Sequence, residues 1–569
     1  MTLLSQSLFG MVAIFASALF VPHQANASDP LSPNRLVFNF LAQPIADVNG
    51  DGEIDILDTL PSIPPSTDAI VYIGEDAEAQ VYSLNATGEP VVNFSSGAVN
   101  RLEDAVTLAA ALDVPLYLRG HFAMTDAIRI RSSVSISGYS TSPTVIHSII
   151  EGGTALINIK SRASDVVIEN LRLNEVLDLS VSMLLMSGLN ERITIDKVDF
   201  TGQRVGAIFQ TTAAVLMSQD WIKDVLISNC KISDFQYGIH CLCGVRKLRI
   251  LNNEFRRWSS FALRIARLAS QESLRSEDIS IVGNDFRDPM PGLFKSVIFV
   301  TRGESLLYIR DVHVNRNTIY SDGGAFQRGD STSNATGDQV VLHGVNGFEI
   351  IANQVFHGGE NGITASTLSR NGIIARNVVH GNDTHGIVIG SGLYELSVSS
   401  VAKIKLNQRI RGVDSGAEAS VRSIRVHPLD GRIVVGLHRK TSASIFRNEK
   451  LDNLTTGAKN VASASIVDRT KNILVFENFV FGNGLDQANN TPFTFGIYVQ
   501  NADTIDIVRN RIYNPNYDFV RAFGGLQDQR LSVFLANSRD VLVSQSNQFE
   551  LGAETLSQGV GRNSSTWLR

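Results

Sequence analysis

Residues 347 to 390 constrain this chain more than any other stretch, because they state one structural unit twice. Each copy opens with apolar residues in alternation (Phe348 and Ile350; Ile373 and Ile374) and reaches an Asn, at 353 or 377. It continues with Val355 or with Val378 and Val379, crosses a polar loop and arrives at Gly-Ile. Alternation with a period of two is strand chemistry, and a fixed Asn after the strand marks a tight turn. One such unit cannot bury its own apolar face, so copies must stack as the coils of a solenoid.

The same Asn marker recurs along the chain. VVIEN ends at Asn170, LISN at Asn229, LRILNN at Asn253, ISIVGN at Asn284 and VHVNRN at Asn317. It resumes with LVFEN at Asn478, DIVRN at Asn510 and SQSN at Asn547. Most intervals lie in the twenties to thirties, the length of a three-strand coil at roughly 3.3 Å per residue. About ten to twelve coils are expected from these intervals.

The 569 residues are 43% hydrophobic and 19% charged, enough for a large core and unlike a disordered chain. A net charge of −6 with scattered basic residues gives no footprint for nucleic acid. Residues 8–21 form an apolar run too short for a comfortable membrane span, followed by Ala25-Asn26-Ala27, so residues 1–27 read as a signal peptide. The first residues lack Lys or Arg, and an uncleaved anchor is the alternative. Cleavage would leave no transmembrane span and a secreted, extracellular or cell-surface protein, with the periplasm as a further location. Of the three cysteines, Cys241 and Cys243 alternate along one strand, where geometry opposes a mutual bridge; all three read as buried small hydrophobes, with a bridge from Cys230 left open.

Residues 28–97 read as a linker. Within it, Asp47, Asn49, Asp51, Glu53 (through its carbonyl), Asp55 and Asp58 occupy the ligand positions of a calcium loop spanning 47–58, so a structural calcium ion is expected. The loop resembles half of a dockerin repeat. The second half is absent and Pro61, Pro64 and Pro65 follow, which argues against a cohesin-type partner. Residues 101–112 carry Leu102, Val106 and Ala109 at helical spacing, a natural cap for the first coil of a solenoid running from 98 to 394. Residues 395–468 interrupt the marker and read as an inserted antiparallel β module with a turn at Asp430-Gly431; its Ser415-Gly416-Ala417 stretch resembles small β modules of phage and bacterial surface proteins. The last coils and a C-terminal cap occupy 469–569.

The Asn-punctuated coils, the N-terminal helix and the Gly-Ile strands resemble the right-handed parallel β-helix superfamily of pectate lyases. VVHGNDTHGIVIGSG is similar to the coils of mannuronan C5-epimerases and alginate-acting relatives. The resemblance implies an all-β parallel β-helix whose active groove runs along one sheet, a polysaccharide lyase or uronate epimerase activity, and an acidic polysaccharide as partner. A glycan-binding or structural surface protein, or a glycoside hydrolase of the same fold, are the alternatives. The Asp-Pro-His triplet of the epimerases is missing here, with Asp383-Thr384-His385 its nearest counterpart.

Aligning Ile239, Leu263, Val340, Ile363, Ile387 and Ile497 inward puts His240, Arg264, Val341, Thr364, Val388 and Tyr498 on the outer face, with His343 two positions further and Arg267 and Arg302 near strand ends. The entering loops add Asp322, Arg328, Asp330, His357, Glu360, His380 and Asp383. Removing the C5 proton of a uronate requires groups that accept and deliver protons beside a stabilised carboxylate. His343, His385, Arg264, His357, His380 and Asp383 are the catalytic candidates, and Arg302, Arg267, His240, Tyr498 and Glu360 the substrate-binding ones. The competing reading has each in a local role: Arg264 and Arg267 paired with Glu272 or Glu277, Asp383 capping its own turn.

Overall fold

The structure is a computed structural model. It describes strands at 70–74, 80–84 and 90–93 and, from residue 102, the strands and most connecting turns; 1–69, 267–273, 322–336, 484–493 and 514–528 are the longer segments outside the description. The signal peptide, the calcium loop, Arg267, Glu272, Asp322, Arg328, Asp330 and Asp383 lie outside the described residues.

One coil shows how sequence becomes fold. Val345–Ile351 forms a strand of a first sheet, Ala352 turns the chain with φ of 57°, and Gln354–Phe356 forms a three-residue strand of a second sheet. A loop then leads to Ile363–Ser366 in a third sheet, after which the chain enters Arg370–Ala375, one coil on. Coil on coil the three sheets are parallel and in register: Ile350 faces Ile374 in the first, Val355 faces Val379 in the second, Ile363 faces Ile387 in the third; only the strands at 70–74, 80–84 and 90–93, within the stretch read as a linker, pair antiparallel with one another at the start of the first sheet. The third sheet has 13 strands, slightly more coils than the Asn spacing implied. Alternation sends these Ile and Val side chains into one continuous core, each contributing about 1.5–3 kcal/mol through burial. Helix Leu102–Leu112 covers its N-terminal end, burying Leu102, Ala105, Val106, Leu108 and Ala109, and ends where Asp113 turns left-handed before Pro115.

The Asn marker forms a ladder inside the corner between the first two sheets. The backbone N–H and Nδ2 of Asn253 both donate to Oδ1 of Asn284, and the pattern repeats through Asn317, Asn353, Asn377, Asn478, Asn510 and Asn547. Asn170 and Asn229 stand outside it. They occupy the preceding residue, whose φ of 56° or 55° is the left-handed turn conformation that Asn also tolerates. Cys230 holds the ladder position of its coil: its N–H donates to Asn253 Oδ1, and its thiol donates to the Ser228 carbonyl. Burial pushes that thiol up to about 12. All three cysteines are free; Cys241 and Cys243 do not alternate across the sheet but both point into the core at a corner, their sulfurs 3.8 Å apart.

Between the third-sheet strand Ile387–Gly390 and the first-sheet strand Thr470–Phe476 the chain builds a closed six-stranded antiparallel barrel, Leu393–Asp468, with its own core around Leu396, Val421, Leu437 and Leu451. Gly431, at φ 70°, closes its 427–432 hairpin. The barrel is fastened to the solenoid by buried charge. Glu395 takes ion pairs from solenoid Arg302 and barrel Arg425, and Asp468 accepts from the Tyr308 hydroxyl and pairs with Arg370, whose guanidinium lies 3.9 Å over the Tyr308 ring.

Candidate functional site

The third sheet's outward row runs His240, Arg264, Phe299, Val341, Thr364, Val388, Tyr498, Phe534 on successive coils. The register read from the sequence is therefore the one observed. Its chemistry differs from the expected polar and cationic strip. The middle is Phe299, Val341, Thr364 and Val388; His240, Val341, Thr364 and Val388 are buried and the other four of the row half-buried.

Near one end, Arg264 Nη1 donates to His240 Nε2 at 3.3 Å, and Tyr237 stacks on the His240 ring at 4.2 Å. Glu277 pairs with Arg246 instead of Arg264. Desolvation, with the Arg264 charge adding to it, lowers the His240 pKa to about 3, so this imidazole is neutral and its Nε2 is occupied. His343 faces outward two positions along, edge-on to Phe299 at 5.4 Å, and burial lowers its pKa to about 4.

Three expectations need correction. Arg302 is 3% exposed and spends its charge on Glu395 at the barrel junction, since the strand end carries it under the inserted module and not into a groove. His357 and His380 belong to the second sheet's side of the loop. There His380 lies between Phe356 at 4.4 Å and Phe481 at 4.5 Å, with His357 edge-on at 5.3 Å, so they extend an aromatic column around the corner from His343. Burial and the neighbouring His357 lower the His380 pKa to about 4.

The loops entering the third sheet hold a second ladder, in the residue two places before each strand's first inward Ile or Val. Asp338 Oδ1 accepts from the Asn361 N–H and Nδ2; Asn361 Oδ1 accepts from the His385 N–H and the Thr384 hydroxyl; His385 Nδ1 accepts from the Phe495 N–H at 3.1 Å. With Nδ1 an acceptor, the neutral His385 ring carries its proton on Nε2. Burial lowers its pKa to about 4. The ring stacks on Phe495 at 4.9 Å and meets Tyr498 at 5.1 Å; burial raises the phenol's pKa, so Tyr498 keeps its proton.

At the head of this ladder the Glu360 side chain hydrogen-bonds that of Asp338. Burial and the Asp338 charge push the Glu360 carboxyl up to about 7, and burial raises Asp338 as well. The Thr364 hydroxyl lies beside Asp338, close enough to favour its charged form though outside good hydrogen-bond geometry. Two carboxyls in contact in a partly buried site hold one proton between them near neutrality. Asp338 was missed in the sequence because Gly337-Asp338-Gln339-Val340 lacks the Gly-Ile signal; alignment with Asn361 and His385 would have found it.

No family model matches the chain, and no curated protein matches it. Among solved structures, the periplasmic alginate epimerase AlgG is similar at 13% identity with a TM-score of 0.33, over 80% of this chain and 76% of that one. Tailspike protein 3 of bacteriophage CBA120 is similar at 10% identity and a TM-score of 0.41, over 83% of this chain, which spans 59% of the tailspike. The A-module of the Azotobacter vinelandii mannuronan C-5 epimerase AlgE6 is similar at 10% identity and a TM-score of 0.28, over 80% of this chain and 93% of the module.

Proposed function

We propose that the chain acts on an acidic polysaccharide lying along the third sheet, exchanging or eliminating the proton at C5 of a uronate. What supports this reading is the Asp338–Glu360 carboxyl pair in the loops entering the third sheet: Asp338 Oδ1 is fixed by Asn361, the Glu360 N–H donates to the Gly337 carbonyl, and burial raises both carboxyls, Glu360 to about 7. A carboxyl pair holding one proton presents a base and an acid side by side at neutral pH, which removal and return of a C5 proton both need. In epimerisation the ionised oxygen of the pair takes the C5 proton from one face and a water on the other face reprotonates the carbanion, the hydroxide left behind being neutralised by the proton the pair gained. In β-elimination the ionised oxygen of the pair takes the C5 proton, the C4–O bond breaks, and the proton the pair already held passes to the departing oxygen. Coils stack about 4.8 Å apart, so the Nε2–H of His385 and the Tyr498 hydroxyl stand roughly two to three coils along, in reach of an adjoining sugar.

Glycoside hydrolysis fits less well. It needs carboxyls roughly 5–5.5 Å apart for retention or 6.5–9.5 Å for inversion, and a hydrogen-bonded pair is closer than either. A second reading, glycan binding without turnover, is favoured by the use of His385 Nδ1 and Arg264 Nη1 within the fold. Incubation with a panel of uronate polymers separates the readings. Ultraviolet absorbance reports unsaturated ends and proton NMR reports epimerisation; neither signal on any uronate, with retention of the polymer, supports binding alone.

A further inference from the structure

The charge of this chain is unevenly divided. Between residues 393 and 468 there are twelve Lys or Arg against seven Asp or Glu, a net +5 within a chain of net −6, so everything outside the barrel carries −11. Much of the excess gathers on one barrel face. Strand Arg409–Gly412 pairs with Glu418–Val426 on one side and Lys450–Asn453 on the other. Ile410, Val421 and Leu451 point into the barrel core, which sends Arg409, Arg411, Arg422 and Lys450 to solvent. The loop before that strand adds exposed Lys403 and Lys405. It is tied to the start of that strand by the buried Asn453, whose Nδ2 donates to the Lys403 carbonyl, while the Lys405 N–H donates to Gln408 Oε1 within the loop, each at 2.7 Å.

Acidic partners do not neutralise this face. Glu418 pairs with both Arg409 and Arg411, leaving one positive charge over; Asp452, cross-strand from Arg411, is paired by Lys459, and exposed Asp414 stands at the edge. No ion pair joins Lys403, Lys405, Arg422 or Lys450 to a carboxylate among the described residues. A cluster of exposed like charges repels itself and attracts polyanions, an attraction that salt screens. The barrel also leaves the solenoid from the end of Ile387–Gly390, five residues beyond His385, and the Glu395 and Asp468 pairs hold it there.

We infer that the inserted barrel is an anionic-glycan binding module, which grips a uronate polymer through Lys403, Lys405, Arg409, Arg411, Arg422 and Lys450 while the third sheet works on the same chain. This deepens the function proposed above and takes its choice of polymer from it. Two modules on one body raise the local concentration of polymer at the second site once the first is engaged, provided both can reach one strand. Contacts of exposed ammonium and guanidinium groups with carboxylates are screened by salt, so binding through this face falls with ionic strength.

The test is affinity electrophoresis of the full chain in gels containing alginate, with dextran as the neutral control, at low and at about 0.5 M sodium chloride. Retardation by alginate and not dextran is expected, with apparent affinity falling on the order of tenfold as the Debye length shrinks. A triple variant, Lys403→Glu with Lys405→Glu and Arg422→Glu, should lose that retardation by a similar factor with its melting temperature unchanged. The Glu360→Gln protein should keep it, which separates a failure of the barrel's role from a failure of the proposed chemistry. Equal retardation of the triple variant, equal retardation by dextran, or retention only by duplex DNA or by phosphatidylserine vesicles overturns the inference.

Discussion

Substituting Asn353 by Ala removes the middle of the Asn ladder, and the loss can be worked out bond by bond. Asn353 Nδ2 donates to the Val314 carbonyl at 2.7 Å and to Asn377 Oδ1 at 2.9 Å; its Oδ1 accepts from the Asn317 N–H at 2.9 Å and Nδ2 at 3.0 Å. All four vanish, and the Val314 carbonyl and the Asn317 N–H are left in a corner that is 1% exposed at residue 353. At about 1 kcal/mol net per hydrogen bond the change costs about 4 kcal/mol, with orphaned buried groups pushing the figure up and water entering the new space pulling it down. Asn353→Asp keeps the acceptor for Asn317 but loses both donors, so it should cost about half the bonds plus a buried charge. Urea unfolding gives the global change, and hydrogen exchange at the Asn317 amide reports the local one. A shift below about 1 kcal/mol with the Asn317 amide still protected would refute the claim that the ladder, and not apolar stacking alone, holds this corner.

Acid should destabilise the protein between pH 6.5 and 4: His240, His343, His380 and His385 are all held below the ordinary imidazole value, so the unfolded chain takes up protons there before the folded one does. Glu360 and Asp338 work the other way, because carboxyls raised by burial, Glu360 to about 7, lose folded-state stability as pH rises through this range; four imidazoles against two carboxyls set the net direction, and melting temperatures rising on acidification below pH 6.5 would contradict it. By the same sign, Glu360→Gln should gain melting temperature relative to the parent at pH 8 and little at pH 4, as scanning calorimetry at the two pH values can show. Arg302→Ala leaves Glu395 facing Arg425 alone at the barrel junction and should cost about 3–5 kcal/mol. Limited proteolysis should then release the barrel from the solenoid faster than in the parent, and an unchanged rate would mean that Asp468 and Tyr308 suffice.

What could be read from the sequence was whatever repeats. Period-two alternation placed Ile239, Leu263, Val340, Ile363, Ile387 and Ile497 inward and thereby ordered His240, Arg264, Thr364 and Tyr498 along one face, as observed. The Asn marker was legible for the same reason, yet it failed at Asn170 and Asn229, where Asn serves a left-handed turn one residue early; both positions favour the same side chain for different physics. The fate of charged side chains was not legible. Arg302 looked like a groove cation until the barrel supplied Glu395, ninety-three positions away, and no local pattern announces so distant a partner. His357 and His380 were placed with His343 because the corner between sheets falls inside a loop whose length alone does not say which side of it a residue takes. Asp338 escaped notice because its coil spells the strand entry with Gln-Val in place of Gly-Ile.

The central claim is that the shared proton of Asp338 and Glu360 belongs to chemistry at a uronate C5. Incubating the protein with polyuronates in deuterated water, then reading C5 by proton NMR and unsaturated ends by ultraviolet absorbance, tests it directly. The account predicts deuterium at C5, or unsaturated ends, on at least one acidic polymer and none on neutral glycans. Glu360→Gln and Asp338→Asn should lower the rate by on the order of a hundredfold or more, the usual contribution of a positioned acid or base. A full rate in both variants, or no exchange and no elimination on any polyuronate, would contradict it.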